Sequence, residues 1–388
     1  MLARAPLGSP LARADSVVGG STIADAHIRE LNTLAVRGLV SMLDPDKHLF
    51  CHRLLQKQGG MLREGLSPRY TIMTLLGLRQ VEQTRSEVPF NTNALHESLV
   101  RDTNWICGIG DLGLLLWLTA SFAPDRLEEI YRQVDIQTAL ERYADARQGR
   151  TTELAWFLAG VAHAALTSPK QTHDLMDLAV ETYHRMEENQ GECGFFGHMS
   201  ETKSLAGIVR GRIGSFADQI YPIYAMSKFA LAFDVEEPLG AALECAAAIC
   251  SAQGPLGQWW WLYDSRTGRV ASRYPVYSVH QQGMAPMGLF ALEEVTHRSF
   301  GEAIHKGLAW IFGANELSVD MRNPEHNVVW RCIRPKSKVR KYLDTALSVV
   351  RSPKAGAPSG ALEILYEDRP YELGWLLYAF ARLGMANG

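Results

Sequence analysis

Two loops in this chain leave a helical run with the same signature. The run ending HRMEEN passes into Gln190-Gly-Glu-Cys-Gly194-Phe-Phe196, and the run ending AAICSA passes into Gln253-Gly-Pro-Leu-Gly257-Gln-Trp259. Both read Gln-x3-Gly-x-aromatic. Glycine permits a sharp turn out of a helix, the glutamine can bond exposed helix-end groups, and the aromatic can pack over the next hairpin. An element that recurs at helix exits is a repeat joint, so the chain should be built from stacked helical hairpins.

Periodicity agrees. From about residue 24 to the end, apolar residues recur at helical spacing, and alternating strand-like stretches are nearly absent. The chain reads as all-α, with about a dozen helices. The clearest starts are Ser67-Pro68, an N-cap before a proline at the first helical position, and Pro124-Asp125, before DRLEEIYRQVDIQTALERY. At 388 residues the length alone allows two domains or one large repetitive one. The uninterrupted helical pattern favours a single domain over 23–388, after a flexible lead over 1–22.

The Gln-x3-Gly-x-Trp form resembles the QW repeat of the terpenoid cyclase and protein prenyltransferase superfamily. A similar helix, Gly-rich turn and aromatic sequence occurs in six-hairpin carbohydrate-active enzymes. Both resemblances imply an α/α toroid of about six hairpins, closed in a ring around a central pocket. An irregular helical solenoid is the alternative architecture.

Composition narrows the function classes. Hydrophobic residues make up 47% and charged residues 21%, ample for a large core, and the formal net charge of -3 gives no drive toward nucleic acid. The cysteines Cys51, Cys107, Cys193, Cys245, Cys250 and Cys332 show no CxxC spacing, which suits structural thiols in a reducing, cytoplasmic setting. Cys193 and His198 in CGFFGH lack further metal-ligand partners nearby, so neither a metal nor a cofactor is expected. The N-terminus lacks a signal-like apolar stretch, and no window approaches the roughly 18 apolar residues of a membrane span.

The densest polar-aromatic stretch is GQWWWLYDSRTGRVASRYPVYSVHQQGMAPM, residues 257–287. Three consecutive tryptophans cannot all enter one helical core stripe, and Pro275 with the glycines keeps the segment largely non-helical. Aromatic plates such as Trp259 and Trp261, interleaved with Asp264, His280 and Gln281, suit a sugar, whose rings stack and whose hydroxyls need partners. A loop plugging the toroid is the structural alternative. The stretch also partly resembles the helical catalytic domain of uronyl C5-epimerases. The similar residues are Trp261-Leu-Tyr263-Asp264, then Ala271-Ser272, then Tyr277-Ser-Val-His280, with Asp218-Gln-Ile-Tyr221-Pro222 upstream. That resemblance implies proton transfer at a sugar carbon by Tyr221, Tyr263 and Tyr277, and it departs from the family in loop length and Tyr-to-His spacing. Such chemistry needs a base on one face and an acid on the other; His280 and Asp218 could share the work, and Arg273 or Arg269 could hold a carboxylate.

A glycosidase would instead need two carboxylates flanking the scissile bond. Candidates are Glu153 in RTTELAW, Asp218, Asp264 and Glu372 in RPYELGW; Glu153 and Glu372 each open a helix shortly after an arginine. A helix-start carboxylate bonding backbone amides is the structural alternative. A conventional terpenoid cyclase would carry an Asp-x-Asp-Asp acid or an Asp-rich magnesium site, and neither is found. The basic stretch RCIRPKSKVRK, residues 331–341, is a solvated face or a docking strip for an acidic polysaccharide, a diphosphate-linked lipid or an anionic membrane. The expectation is a toroid enzyme acting on an acidic or lipid-linked polysaccharide by Tyr/His proton transfer, epimerase- or lyase-like. A prenyl-binding toroid enzyme and a paired-carboxylate glycosidase are the alternatives; polar helix starts around the pocket would favour a carbohydrate enzyme, an apolar lining the prenyl one.

Overall fold

A computed structural model describes residues 22–143, 150–168, 172–199, 211–336 and 361–384. These form helices α1 (Thr22–Met42), α2 (Pro68–Gln83), α3 (Thr92–Arg101), α4 (Ile109–Phe122), α5 (Leu127–Gln133), α6 (Ile136–Tyr143), α7 (Thr151–Thr167) and α8 (Thr172–Glu187). After them come α9 (Ala217–Phe233), α10 (Glu237–Ser251), α11 (Ala285–Thr296), α12 (Gly301–Ile311) and α13 (Pro370–Gly384). A π-helical turn, His280–Met284, leads directly into α11.

Helices α2, α4, α7, α9, α11 and α13 form an inner layer in which each packs against the next, and α13 packs against α2. Their sequences explain this position: α4, α7 and α9 are apolar on nearly every face and bury most of their residues, as a helix enclosed on all sides must. The flanking helices are one-sided; α12 buries Ile304, Gly307, Leu308 and Ile311 and turns Glu302 and Lys306 outward. Two glycine pairs let inner backbones touch. A Cβ on Gly160 of α7 would stand 2.1 Å from the Gly113 carbonyl oxygen of α4, and one on Gly77 of α2 equally close to that of Gly374 in α13.

Both repeat joints have the same geometry. Gln190 donates through Nε2 to the carbonyls of Gly194 and Ala241, each at 3.0 Å, while Gln253 donates to Gly257 at 3.0 Å and Ala303 at 2.9 Å. Each glutamine thus ties its own turn to the N-terminal part of the following outer helix, α10 or α12. The turn glycines adopt φ of 82° and 87°, the left-handed region that disfavours a side chain. Replacing Gln253 by Leu should cost about 1–3 kcal/mol, the penalty for half-buried carbonyls left unpaired. Denaturant unfolding measures this, and an unchanged midpoint would refute the joint's role.

Two readings need correction. DRLEEIYRQVDIQTALERY is not one helix: it breaks at Val134-Asp135, where Asp135 caps α6 through Thr138 N at 3.0 Å. Strands are also more numerous than expected, though all are short and antiparallel. They include the hairpin β1 (Leu43–Asp44), β2 (Leu49–Lys57) and β3 (Gly60–Leu66), then β4 (Ile213–Ser215), β5 (Leu262–Asp264), β6 (Arg269–Ser272) and β7 (Val276–Tyr277). The remainder are β8 (Arg322–Asn323), β9 (Val328–Val329), β10 (Cys332–Pro335), β11 (Leu362–Leu365) and β12 (Glu367–Asp368). The β2–β3 hairpin escapes the alternation test because LFCHRLLQK is packed irregularly on both faces, and only Gly59-Gly60 marks its turn. These strands precede inner helices α2, α9, α11 and α13, so they build a rim at the end where the inner helices begin.

Candidate active site

The starts of the inner helices touch one another in sequence around that end. Arg69 of α2 donates through Nε to Asp111 of α4 at 2.7 Å. Glu153 of α7 lies against the first turn of α4, so close that a Cβ on Gly110 would be 3.1 Å from its Cγ. Thr152 of α7 donates to Asp218 of α9 at 2.6 Å, and Phe216 before α9 packs on His280 of the π turn with ring centres 4.5 Å apart. Arg369, just before α13, donates to the Tyr70 hydroxyl of α2 at 2.9 Å, and Tyr70 packs on Tyr371 at 4.5 Å. Helix starts carry positive dipole ends, so the arrangement gathers carboxylates where they are favoured. Beneath it the interior is filled by aromatic rings: Trp156 meets Tyr221 at 5.2 Å, Trp375 donates to the Tyr221 hydroxyl at 2.8 Å, and Trp117 stacks on His163, Tyr224 and Trp375.

Three carboxylates of this end differ in their surroundings. Asp111 is almost fully buried and bonded by Arg69 and by the Cys107 backbone N–H at 3.1 Å. Asp218 is fully buried and accepts from Thr152, from Ser215 N and Oγ at 2.8 Å each, and faces His198 Nδ1 at 3.2 Å. Glu153 is the accessible one, with 20% of its side chain exposed and Arg150 at 3.9 Å as its ion-pair partner among the described residues. Burial raises the Glu153 carboxyl above its ordinary value; Arg150, Arg69 and His198 oppose the shift, and Asp111 adds to it. A carboxyl whose pKa is raised, placed beside a second carboxyl held by hydrogen bonds, is the pairing general acid catalysis uses.

Glu372 has a different role. It is fully buried and bonded to Arg331, whose guanidinium also lies 3.6 Å from Glu367 and 5.0 Å from the Tyr277 ring centre. Burial raises its pKa too, but Arg331 clamps it inside the protein rather than presenting it. Arg331 therefore does not belong to an exposed basic strip; Arg334 pairs with Glu363 at 3.0 Å, and Lys338, Arg340 and Lys341 lie outside the described residues.

Within the 257–287 segment one group of rings lies together and the remaining candidates are packed elsewhere. Trp261, Tyr277 and His280 converge, with ring centres 5.1 Å apart for Trp261–Tyr277 and 5.2 Å for Tyr277–His280. The others expected with them are built into the fold. Tyr263 is fully buried against Phe195, its hydroxyl accepting from Trp260 N at 3.1 Å; Trp259 is buried against Phe216. Gln281 is buried, bonding Tyr277 O and Trp259 N, while Asp264 accepts from the turn N–H groups of Arg266 and Thr267. Arg273 stacks over Trp260 at 5.4 Å. Nor are the tyrosines tuned as bases: burial pushes Tyr277 up to about 12 and raises Tyr221 and Tyr263 as well, and it holds His280 neutral, down to about 3.

Sequence reasoning missed Arg69, Tyr70, Asp111, Arg331 and the placement of His198. Asp111 was legible: it is the third residue of α4, as Glu153 and Glu372 are of α7 and α13. Arg331 gave no local signal, because its partner Glu372 is distant in sequence. No cluster of three or more His, Cys, Asp or Glu suited to a metal occurs among the described residues, and none of their helices is long and apolar enough to cross a membrane. All six cysteines are free thiols.

No protein-family pattern and no curated protein sequence matches the chain. Its structure, however, is similar to solved glycosidases. One is a possible member of the GH105 family from Salmonella enterica serovar Paratyphi A, 12% identical, with a TM-score of 0.60 over 98% of each chain. Another is the unsaturated glucuronyl hydrolase of Bacillus sp. GL1, named for the degradation of glycosaminoglycan, 14% identical, with a TM-score of 0.57 over 93% of this chain and 97% of that one. A glycosyl hydrolase of family 88 from Bacteroides vulgatus is 10% identical, with a TM-score of 0.56 over 93% of this chain and 99% of that one. At these identities the likeness concerns the fold: the chain is mostly helical and has the α/α-toroid fold of these enzymes.

Proposed function

We propose that the protein is a glycosidase acting on saccharides that end in an acidic sugar, with Glu153 as the proton donor. The carrying observation is Glu153 itself, a partly exposed carboxyl with a raised pKa at the helix start adjoining that of Asp111. Cleavage of an ordinary glycoside begins with protonation of the bridging oxygen, and cleavage at a 4,5-unsaturated uronyl residue can begin with protonation of the double bond. One protonated carboxyl serves either reaction. Asp111, fixed by Arg69, supplies the second carboxyl group, and Trp261 with Tyr277 offers an apolar plate for a sugar ring.

The names of the structural neighbours support an acidic-sugar substrate, as does the density of arginines among the helix starts. The tyrosine-centred epimerase or lyase reading is disfavoured by the raised pKa values, since a tyrosine base needs the opposite shift. Charged helix starts likewise disfavour a prenyl pocket. Incubation with saccharides carrying a terminal 4,5-unsaturated uronyl residue should release that residue, with loss of the ultraviolet absorbance of its conjugated double bond. Turnover of the intact polymer by β-elimination, with a rise in that absorbance, would overturn the proposal in favour of a lyase.

A further inference from the structure

Resting on that reading, we infer that Arg69 is the residue that recognises the sugar carboxylate. The side chain is fixed at two places and open at a third. Its Nε is bonded to Asp111 at 2.7 Å, and its guanidinium carbon lies over the Trp156 ring, 5.2 Å from the centre. No other protein group bonds the guanidinium among the described residues, and 37% of the side chain is exposed. Both Nη groups are therefore available in a set orientation, a planar fork that matches the two oxygens of a carboxylate. Holding the fork in advance lowers the entropic cost of using it.

The other arginines at this end are differently committed. Arg331 is bound by Glu372 and lies near Glu367, and Arg369 is bound by Glu367 at 2.6 Å and by Tyr70. Arg150 is more exposed, and its one side-chain ion pair among the described residues is the long contact to Glu153. Arg273 and Arg269, the cations suggested by sequence, lie on the 257–287 segment; Arg273 stacks over Trp260, and Arg269 is exposed in β6. Arg69 alone joins the two carboxyl groups assigned to the chemistry, bonding Asp111 and electrostatically opposing the raised pKa of Glu153. A carboxylate lodged on its fork would place the acidic sugar within the reach of Glu153.

The test is binding rather than turnover. A disaccharide with a 4,5-unsaturated uronyl end, and the same disaccharide with that carboxyl reduced to an alcohol, are titrated calorimetrically into full-length Glu153→Gln protein and into Glu153→Gln/Arg69→Gln. The first protein should bind the uronyl sugar about 10- to 100-fold tighter than the reduced one, the size of a charge-assisted pair of hydrogen bonds. In the second protein that preference should collapse toward one. An undiminished preference without Arg69 would overturn this assignment and leave the glycosidase proposal standing. Arg69-dependent preference in a protein whose wild type releases no sugar would support the carboxylate site and defeat the hydrolase reading. Binding of neither sugar would overturn both.

Discussion

Glu153→Gln should lower turnover of a uronyl-terminated saccharide by about 10² to 10⁴-fold while leaving the fold intact, because it removes the transferable proton and little volume. The side chain, on α7 and packed against the first turn of α4, has only the long 3.9 Å contact to Arg150 as an ion pair among the described residues, so unfolding should change little. Activity should also lose a pH limb. A general acid works in its protonated form, so kcat/KM in the wild type should fall as pH rises through the raised Glu153 value, and that fall should be absent from the residual activity of the variant. The same shift has a stability consequence of known sign. The folded protein holds the Glu153 proton over a pH range where the unfolded chain has released it, so this group's contribution weakens as pH rises from the ordinary carboxylate value through the raised one. In Glu153→Gln that part of the pH dependence should disappear from denaturant melts.

Arg331→Met should destabilise the protein by about 3–5 kcal/mol, the cost of leaving a buried charge without its partner. Glu372 is fully buried with one carboxyl oxygen already unpaired, and it stands near Asp368, whose own pKa is raised well above normal by burial and by Glu372. Without Arg331 the pair keeps only the more distant influence of Arg369 and is relieved chiefly by taking up protons. Its deficit should therefore shrink as pH falls, since the folded form then binds protons that the unfolded form binds only at lower pH. Adding Glu372→Gln should recover a large part of the loss, because an amide needs no counter-charge; a double-mutant cycle with no coupling would contradict the assignment. The residual activity of Arg331→Met also bears on the site, since the cation braces Tyr277 and ties β10 to α13.

The architecture was legible where local chemistry repeats. Gln190 and Gln253 mark the joints because each bonds its own turn and the next helix, a task that fixes residue type and spacing together. Ser67 caps α2 by accepting from Tyr70 N at 3.2 Å, with Pro68 in the first turn, as its sequence implies. The break at Val134 and the β2–β3 hairpin were not legible, because a helix break and an irregularly buried strand need only one or two residues that no period reveals.

The site divides along the same line. Glu153, Asp218 and Glu372 were visible as helix-start carboxylates; of Tyr263, Tyr277 and His280, grouped by the sequence, Tyr277 and His280 lie together with Trp261, while Tyr263 packs against Phe195. Composition overstated the rest of the aromatic stretch: Trp259 and Tyr263 are there because the packing beneath the rim needs large rings. What separates Glu153 from Glu372 is exposure and the Arg331 clamp, and both depend on contacts between distant segments. Arg69 and Asp111 lie on different helices and gain meaning only from the bond between them.

A crystal structure of Glu153→Gln soaked with a 4,5-unsaturated uronyl disaccharide would locate the bound sugar relative to position 153. The uronyl ring is expected among the starts of α2, α4 and α7, with its reacting atom about 3 Å from the side chain at position 153, or joined to it through one water. A sugar ordered elsewhere on the protein, or one whose reacting bond faces Tyr277 and His280 with position 153 out of reach, would contradict it.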